Sequence, residues 1–280
     1  MGSEKVAIIG CGYVGKQVAQ LWQQQGLIVT ATTTRPERIS ELHLVASSVR
    51  VLRGTDQALL REALEGQSCV LVSVAGGRSA SYEDTYLKTA QSLIAVLPDV
   101  PSVRQLIFTS TYSIYGNYSG DWVTEETPLK PATANAQVMA QTEQVFLSAA
   151  EENRKVCIFR LGGIYGPGRE LAKIYSRAAG TTRPGTGEEG SNWIHLDDIV
   201  GAIAFAREHR LNGIYNLVQD EIPTVRELIE RVCRSHDLPS VTWDASQPSD
   251  RPYNVRVSNQ KLKAAGYRFV HPTFDLPRLT

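Results

Sequence analysis

Residues 6–22 read VAIIGCGYVGKQVAQLW, and this stretch decides the first unit of the fold. Four apolar residues precede Gly10, a pattern typical of a short strand buried in a parallel sheet. Between the glycines and a stop at Gly26, apolar residues recur at helical spacing, at Val14, Val18, Leu21 and Trp22. The stretch predicts a strand, a glycine-rich turn and a helix in immediate succession.

The turn matches the pattern GxGxxG through Gly10, Gly12 and Gly15. In such turns the first glycine permits the tight bend, the second lets the main chain approach a pyrophosphate, and the third lets the helix pack on the strand. The helix start then presents N–H groups and partial positive charge to the anion. A glycine turn without a ligand is the alternative. The flanking strand and helix favour a dinucleotide site formed by Gly10, Gly12, Tyr13, Val14 and Gly15.

The end of the second predicted strand bears on the choice between NADP and NAD. A site that prefers NAD places Asp or Glu about 20 residues after the turn, where it bonds the ribose 2′-hydroxyl. This chain has residues 32–35, TTTR, there, with Arg38 shortly afterwards. Hydroxyl and guanidinium groups suit a 2′-phosphate. We therefore expect Thr34, Arg35 and Arg38 to favour NADP, although a solvated helix face carrying both arginines is the alternative.

Strand-like and helix-like segments alternate along the rest of the chain. Apolar runs predict strands that begin near residues 27, 49, 69, 106, 156 and 214. This order predicts an α/β fold, a doubly wound parallel sheet (Rossmann type) of about seven strands with a small C-terminal substrate lobe. We expect residues 1–161 plus 192–218 to form the dinucleotide-binding domain, and 162–191 plus 219–280 the lobe, with the tail from Val241 irregular. Asp197 or Asp198, and Thr224, are candidate helix caps.

Composition excludes several classes of function. The 29 basic and 29 acidic residues balance, so no nucleic acid or anionic membrane is expected as a partner. No apolar run approaches the roughly 20 residues of a membrane span. The four cysteines lie far apart without a CxxC pair, so neither a metal site nor a disulfide framework is expected. We expect a cytoplasmic protein that binds a small-molecule substrate.

Five further motifs follow in order along the chain. They are residues 109–116 (TSTYSIYG), 124–131 (TEETPLKP), 160–168 (RLGGIYGPG), 193–198 (WIHLDD) and 214–216 (IYN). Together with the glycine turn, they resemble the extended short-chain dehydrogenase/reductase superfamily, in its NAD(P)-dependent sugar epimerase/dehydratase type. The resemblance runs through nearly the whole chain.

The resemblance implies that Thr111 bonds the reacting oxygen of the substrate. The family's acid/base pair, Tyr-x-x-x-Lys, stands on the next helix. Counting forward from Pro131 and back from Glu143 places the Tyr position at Asn135 and the Lys position at Met139. A free Tyr has a pKa of about 10 and needs a nearby cation to act as a base near neutral pH. Asn and Met provide neither group, so the resemblance is to the atypical branch of the family.

Two further departures accompany the missing pair. The turn is GxGxxG where extended members usually show GxxGxxG, and Tyr86 stands where an Asn is common. Tyr112 follows Thr111 at a position that is acidic in some sugar dehydratases. We hypothesise that Tyr112 is a substitute proton donor, the alternative being an aromatic residue that only shapes the pocket.

Other candidates carry a functional and a structural interpretation side by side. Tyr165 and Arg169 lie at the mouth of the predicted substrate cleft, or are simply loop residues. Arg251 is a candidate contact for an anionic substrate group. Thr55 and Asp56 either contact adenine or cap a helix. The segment Ala75, Gly76 and Gly77 is expected to pass close to the cofactor, whereas packing is the favoured role of His195. Cys11, at a helix start, is in a setting that can lower a thiol pKa and permit redox sensing, but packing of a small side chain is its favoured role.

Two hypotheses of function follow. The first is an atypical oxidoreductase or epimerase-like enzyme (an isomerase) acting on a small sugar- or nucleotide-linked substrate. The second is a non-catalytic NADP-binding sensor or regulatory protein. In relatives, the helices that correspond to residues 82–97 and 138–150 often form a dimer face, so either a monomer or a homodimer is expected.

Overall fold

The computed structural model describes residues 3–76 and 81–276. Its strands are β1 Lys5–Ile9, β2 Ile28–Thr33, β3 Ser48–Val51, β4 Cys69–Val72, β5 Gln105–Thr111, β6 Asn117–Val123, β7 Lys155–Leu161, β8 Gly163–Tyr165, β9 Thr182–Pro184, β10 Trp193–His195, β11 Gly213–Leu217, β12 Thr242–Asp244 and β13 Asn254–Val257. Its α-helices are α1 Tyr13–Gln24, α2 Ile39–Leu42, α3 Gln57–Leu64, α4 Tyr82–Thr85, α5 Leu87–Val96, α6 Ala134–Leu147, α7 Leu171–Tyr175, α8 Leu196–Glu208, α9 Val225–Ser235 and α10 Gln260–Ala264. Short 3₁₀ turns cover Pro36–Arg38, Leu97–Asp99 and Tyr112–Tyr115.

Seven strands form one sheet in the order β11-β7-β5-β4-β1-β2-β3. Strand β1 pairs in parallel with both β2 and β4, and β4 pairs in parallel with β5. The chain therefore winds outward from β1 in one direction and then returns to build the other half. The predicted doubly wound α/β sheet is confirmed. The direction of winding reverses between β1 and β4, and ligands of such sheets bind at this point, outside the carboxyl ends of the strands.

Burial explains why the first stretch of the chain becomes a central strand. Each side chain from Val6 to Ile9 is at most 1% exposed, so β1 is covered on both faces. Helix α1 turns its apolar stripe inward, with Val18 and Trp22 fully buried. The apolar pattern of this stretch thus fixed a buried strand and the helix packed on it.

The chain divides into two compact units. The first unit comprises residues 1–111, 134–160 and 200–215, and the second comprises 112–133, 161–199 and 216–280. The division expected from the sequence placed 112–133, 192–199 and 216–218 with the dinucleotide domain, whereas the contacts group them with the second unit.

The first unit contains a buried ion pair. Glu143 on α6 and Arg160 on β7 are 0% and 3% exposed, and their charged atoms lie 2.7 Å apart. Arg160 reaches both carboxylate oxygens, and the Ser110 hydroxyl donates to the same carboxylate at 2.6 Å. The pair fixes α6 against β5 and β7.

The second unit is built from short paired strands and one strongly amphipathic helix. Strand pairs β8–β10, β9–β12 and β6–β13 each run parallel. Helix α9 packs Leu228, Ile229 and Val232 into the core of this unit. Thr224 caps α9, as predicted, and Glu227 completes a capping box with it.

Three local expectations needed correction. The predicted helix over residues 82–97 is interrupted at Tyr86, so α4 and α5 are separate. The tail after Val241 contains β12, β13 and α10 rather than only irregular structure. Neither Asp197 nor Asp198 caps α8, because the helix begins at Leu196 and His195 Nδ1 accepts the Asp197 N–H at 3.2 Å.

Among the described residues, no helix has the length and apolarity to cross a membrane.

Candidate functional site

The glycine-rich turn connects β1 to α1 in the first unit. Gly10 has φ +88°, and a Cβ there would lie 2.8 Å from the Ser73 carbonyl oxygen. A Cβ at Gly15 would lie 2.7 Å from the Gly10 carbonyl oxygen, because α1 packs directly on the end of β1. Two of the three glycines are therefore required by the fold of the turn itself.

Gly12 behaves differently from its two neighbours. A Cβ at this position would meet no atom within 4 Å, so the main chain here faces open space. Gly12 is the N-cap of α1 and offers no side chain to cap it, and the first intrahelical bond runs from Lys16 N to its carbonyl. A helix start leaves its first N–H groups without intrahelical partners. Open space beside such donors fits the diphosphate of a dinucleotide.

Thr32 holds the turn from the end of β2. Its hydroxyl accepts from Gly10 N at 3.0 Å, and its carbonyl accepts from Cys11 N at 2.8 Å. Thr33 is also buried, and its hydroxyl accepts from Arg35 N at 3.1 Å. These two threonines therefore support the backbone, and Thr34 and Arg35 are the exposed residues of this segment.

Arg38 is part of a charged cluster beside the turn. Its guanidinium donates to the Cys11 carbonyl at 2.7 Å and to Glu41 at 3.0 Å, and Lys16 lies 2.7 Å from the same carboxylate. The hydrogen bonds from Arg38 and Lys16 lower the pKa of Glu41 to about 2. The sequence places no carboxylate at the end of β2, but the fold supplies Glu41 from α2. Two cations and one anion leave this cluster with a net positive charge.

The other predicted cofactor contacts occupy the same unit. Asp56 caps α3 by accepting from Leu59 N at 3.1 Å, so its capping interpretation is confirmed. Ala75 and Gly76 are exposed after β4, and Gly77 lies outside the described residues. The Tyr86 hydroxyl bonds the backbone of Gly76, while burial raises the pKa of that phenol. Tyr13 is half-buried and Val14 is buried on α1.

The Cys11 thiol is not activated by the helix start. Burial raises its pKa from 9.0 to about 12, against the smaller opposing influence of Arg38 and Lys16. The favoured interpretation of Cys11 as a packing residue is consistent with this burial. Desolvation of the thiolate outweighs the influence of the two cations.

The positions that should carry acid/base chemistry lie on β5 and α6. Thr111 is the last residue of β5 and is half-buried. Asn135 is exposed in the first turn of α6, whereas Met139, one turn later, is 2% exposed. The helix that should present a Tyr and a Lys thus presents an amide and a buried thioether.

Tyr112 and Arg251, both predicted site residues, meet in the second unit. Arg251 donates to the Tyr112 hydroxyl at 3.2 Å, and its guanidinium lies 5.1 Å from the centre of the Tyr253 ring. The Tyr112 and Tyr253 rings meet edge to face at 5.3 Å. Burial, with Tyr253 beside it, raises the pKa of Tyr112 far above its ordinary value. Tyr112 therefore keeps its proton at neutral pH.

Tyr165 belongs to a different cluster of the second unit. Its hydroxyl donates to Gln219 at 3.0 Å, and its ring lies 5.0 Å from the His195 ring. Burial and nearby carboxylates raise the pKa of this phenol too. Arg169 is exposed after β8. The favoured packing role of His195 is consistent with its capping of α8, and burial beside His271 lowers its pKa.

Several residues of these clusters escaped the sequence interpretation. Glu41 stands three residues after Arg38, a helical spacing that could have revealed the ion pair. Tyr253 is two residues after Arg251, the spacing of one face of an extended segment. Lys16 and His271 gave no local signal, since their partners are distant in the chain.

The chain is similar in sequence and in fold to several known proteins. The model of the family described as "NAD dependent epimerase/dehydratase family" matches residues 6–217. Protein YeeZ of Escherichia coli strain K12 is 30% identical over 221 residues, which cover 76% of this chain and 77% of YeeZ. UDP-glucose 4-epimerase of Thermus thermophilus, solved with NAD, superposes with a TM-score of 0.76 at 21% identity, covering 94% of this chain and 93% of that one. UDP-N-acetylglucosamine 4-epimerase of Methanobrevibacter ruminantium, solved with UDP-N-acetylmuramic acid, superposes with a TM-score of 0.77 at 17% sequence identity. The superposition covers 96% of this chain and 93% of that one.

Proposed function

Because the chain belongs to the NAD-dependent epimerase/dehydratase family, we propose that it binds a nicotinamide dinucleotide at Gly10–Gly15 and acts on a small sugar- or nucleotide-linked substrate. The open space at Gly12, beside the uncapped start of α1, is the observation that carries the proposal. A side chain at the second glycine would occupy the place that a diphosphate needs. When bound, the nicotinamide supplies a hydride acceptor or donor.

NADP is the proposed cofactor in preference to NAD. Arg35 is exposed beside Thr34, and the cluster of Lys16, Arg38 and Glu41 retains a net positive charge. A 2′-phosphate carries additional negative charge, which these cations attract, whereas a ribose hydroxyl gains little from them. Glu41 does not oppose the phosphate strongly, because two cations are bonded to it.

An anionic group on the substrate is the proposed partner of Arg251. The guanidinium is half-buried between two phenols, so an anion beside it would be attracted in partly desolvated surroundings. Nucleotide sugars carry such a group in their diphosphate, and the two epimerases named above are named for UDP-linked substrates. A nucleoside-diphosphate sugar is therefore the first substrate class to test.

The proposed chemistry assigns separate roles to Thr111 and Tyr112. The Thr111 hydroxyl orients the reacting oxygen of the substrate by hydrogen bonding. Tyr112 retains its proton at neutral pH, so its hydroxyl can donate a proton but cannot act as a base, and the raised pKa makes it a weak acid on its own. Arg251, bonded to that hydroxyl, stabilises the phenolate left after donation.

A non-catalytic NADP-binding sensor is the second candidate. It is favoured by the amide at Asn135 and the buried side chain of Met139. Neither group exchanges a proton at physiological pH. The tyrosine–arginine cluster of the second unit favours the enzyme, since a sensor has no need of a substrate contact.

Two measurements test these proposals in sequence. Calorimetric titration with NADPH and NADH is expected to show binding of both, tighter for NADPH; tighter binding of NADH would reverse the cofactor preference. Absence of binding by either coenzyme contradicts the whole proposal. Cofactor turnover against a panel of carbonyl compounds and nucleotide sugars then separates the enzyme from the sensor. Activity that disappears in Thr111→Ala supports the enzyme, and a silent panel with intact binding supports the sensor.

A further inference from the structure

Three potential metal ligands converge in the second unit, beside the cluster that contains Tyr165. His195 ends β10 and Asp197 stands in the first turn of α8, while His271 comes from the C-terminal segment 74 residues after Asp197. One ligand atom from each of the three lies within 4.8 Å of the others. The two imidazole rings stack with centres 3.8 Å apart.

The distances within this trio have the size of a metal coordination shell. His195 Nδ1 lies 3.4 Å from Asp197 Oδ2, and His271 Nε2 lies 3.2 Å from the same oxygen. Zinc binds nitrogen and oxygen at about 2.0–2.2 Å in tetrahedral geometry, which separates neighbouring ligand atoms by about 3.3–3.5 Å. Two of the three separations therefore match those of one coordination shell, and all three ligand atoms lie within 4.8 Å of one another.

The contact between His195 and Asp197 is also incomplete without a cation. His195 Nδ1 accepts the Asp197 N–H at 3.2 Å, and a nitrogen that accepts a hydrogen bond carries no proton. The same nitrogen faces the Asp197 carboxylate at 3.4 Å, so two acceptors face each other. Because Nδ1 has one lone pair, a cation bound there replaces the Asp197 N–H as its partner and also removes the repulsion from the carboxylate.

Asp198 fixes the main chain of Val270 and His271 by hydrogen bonds. Its fully buried carboxylate accepts from Val270 N at 2.7 Å and from His271 N at 2.9 Å. The Tyr267 hydroxyl donates to the same residue. The main chain that carries His271 is therefore fixed by hydrogen bonds that need no ion.

We propose that His195, Asp197 and His271 bind one divalent transition-metal ion of the Zn²⁺ class. Two imidazoles and one carboxylate leave a fourth position for water, the ligand set of many zinc sites with an open position. Asp197 is 59% exposed and His271 32%, so water and metal reach the site from solvent. The ion ties the C-terminal segment to the start of α8. Cysteine spacing predicted no metal site, but it carries no information about two histidines brought together by folding.

The test titrates Zn²⁺ alone into the full chain after removal of metal by a chelator. One ion per chain is expected. Loss of an outer partner of a ligand typically costs about 10–100-fold in affinity, so His271→Ala and Asp197→Asn are expected to weaken binding at least about tenfold. His43→Ala, an exposed histidine of the first unit, is the matched control and should bind as the parent does. Equal affinity in His271→Ala and the parent, or no binding by the parent, overturns the proposal.

Cobalt provides an independent readout of the ligand set. Co²⁺ at this site is expected to show visible d–d absorption without the near-ultraviolet thiolate band that cysteine ligands produce, and His271→Ala should abolish it. A thiolate band in the parent would assign the metal to cysteines and overturn the proposal. Thermal unfolding in chelator shows that the variant is folded, and His271→Gln replaces His271→Ala if it is not. Zn²⁺ should raise the unfolding temperature of the parent but not of the folded variant.

Discussion

The guanidinium of Arg38 donates a hydrogen bond of 2.7 Å to the main-chain carbonyl of Cys11, inside the glycine-rich turn. The same side chain pairs with Glu41, which Lys16 also binds. A residue expected to meet a 2′-phosphate is therefore also a brace for the turn that meets the diphosphate. Both roles depend on one side chain that is 14% exposed.

Replacing Arg38 should weaken NADPH binding more than NADH binding. Arg38→Ala removes a cation and leaves Glu41 with Lys16 alone, so the local charge beside the turn falls from positive to neutral. We expect NADPH affinity to fall at least about tenfold, or about 1.4 kcal/mol, in calorimetry. Arg38→Ala with Glu41→Gln should recover part of the loss. Arg61→Ala, which removes an exposed pair with Asp99 in the same unit, is the control. Equal losses for both coenzymes would remove Arg38 from 2′-phosphate recognition.

Substitutions of two glycines in the turn should separate binding from folding. Gly12→Ala places a methyl group in open space, so the unfolding temperature should change little while coenzyme affinity falls. Gly15→Ala places a methyl group 2.7 Å from the Gly10 carbonyl oxygen. Overpacking of this kind lowers the free energy of unfolding by about 1–3 kcal/mol. Thermal unfolding and calorimetry on both variants give the comparison. The diphosphate assignment fails if Gly12→Ala binds NADPH as tightly as the parent.

The buried pair of Glu143 and Arg160 should be required for stability. Glu143→Gln leaves Arg160 charged and buried, and breaking a buried pair costs about 3–5 kcal/mol. Replacing both residues together, with Leu and Met, should cost less because no charge remains buried. Arg61→Ala is again the matched control, since an exposed pair contributes at most about 1 kcal/mol. Denaturant unfolding measures all three; equal stability of the Gln variant and the parent contradicts the role.

Buried thiols should make the first unit sensitive to alkaline pH. Burial raises the pKa of Cys11 and of Cys69 from 9.0 to about 12. The folded state therefore favours the neutral thiol, and the resulting stability is fully present below pH 9 and decreases as pH rises towards 12. Cys69→Ala should show a shallower fall of unfolding free energy across this window than the parent. In the native chain at pH 8, thiol reagents should label both residues slowly; fast labelling of Cys11 would contradict its burial.

For any substrate that the chain converts, Tyr112 and Arg251 should affect different constants. Tyr112→Phe removes the proposed donor and should lower kcat by about 10²–10⁴-fold, the usual contribution of general acid catalysis. Arg251→Lys keeps the charge but changes the contact with Tyr112, and should raise KM for an anionic substrate more than it lowers kcat. Steady-state kinetics of the two variants separates the effect on kcat from the effect on KM. Unchanged kcat in Tyr112→Phe would leave Tyr112 as a residue that only shapes the pocket.

Local pattern predicted the elements of the first unit well because each carries its own signal. The apolar run before Gly10 and the helical stripe after it specify a buried strand and a packed helix. In the second unit, Thr224 was predicted to start a helix, and the structure adds Glu227 as its capping-box partner. The interruption at Tyr86 was missed, because the helical spacing of apolar residues continues past Tyr86 although the helical backbone is broken there.

Charged and polar contacts were harder to predict than strands and helices. Arg38 and Glu41 are close in the chain, but their shared contact with Lys16 and Cys11 depends on how α1 and β2 pack around β1. Tyr112 and Arg251 are 139 residues apart, and neither local sequence indicates that the two residues meet. Such contacts form only once the segments that carry both residues have folded into place.

The sequence by itself determined the sheet class, the glycine turn, and that positions 135 and 139 carry Asn and Met, because these depend on residue type and on spacings of a few residues. Only the tertiary structure decided which charges surround the turn, that burial raises the pKa of the Cys11 thiol, and that His195, Asp197 and His271 meet. Those outcomes depend on burial and on distances between segments remote in the chain. Desolvation and Coulomb interactions change with position in space, and position in space is set by packing of the whole unit.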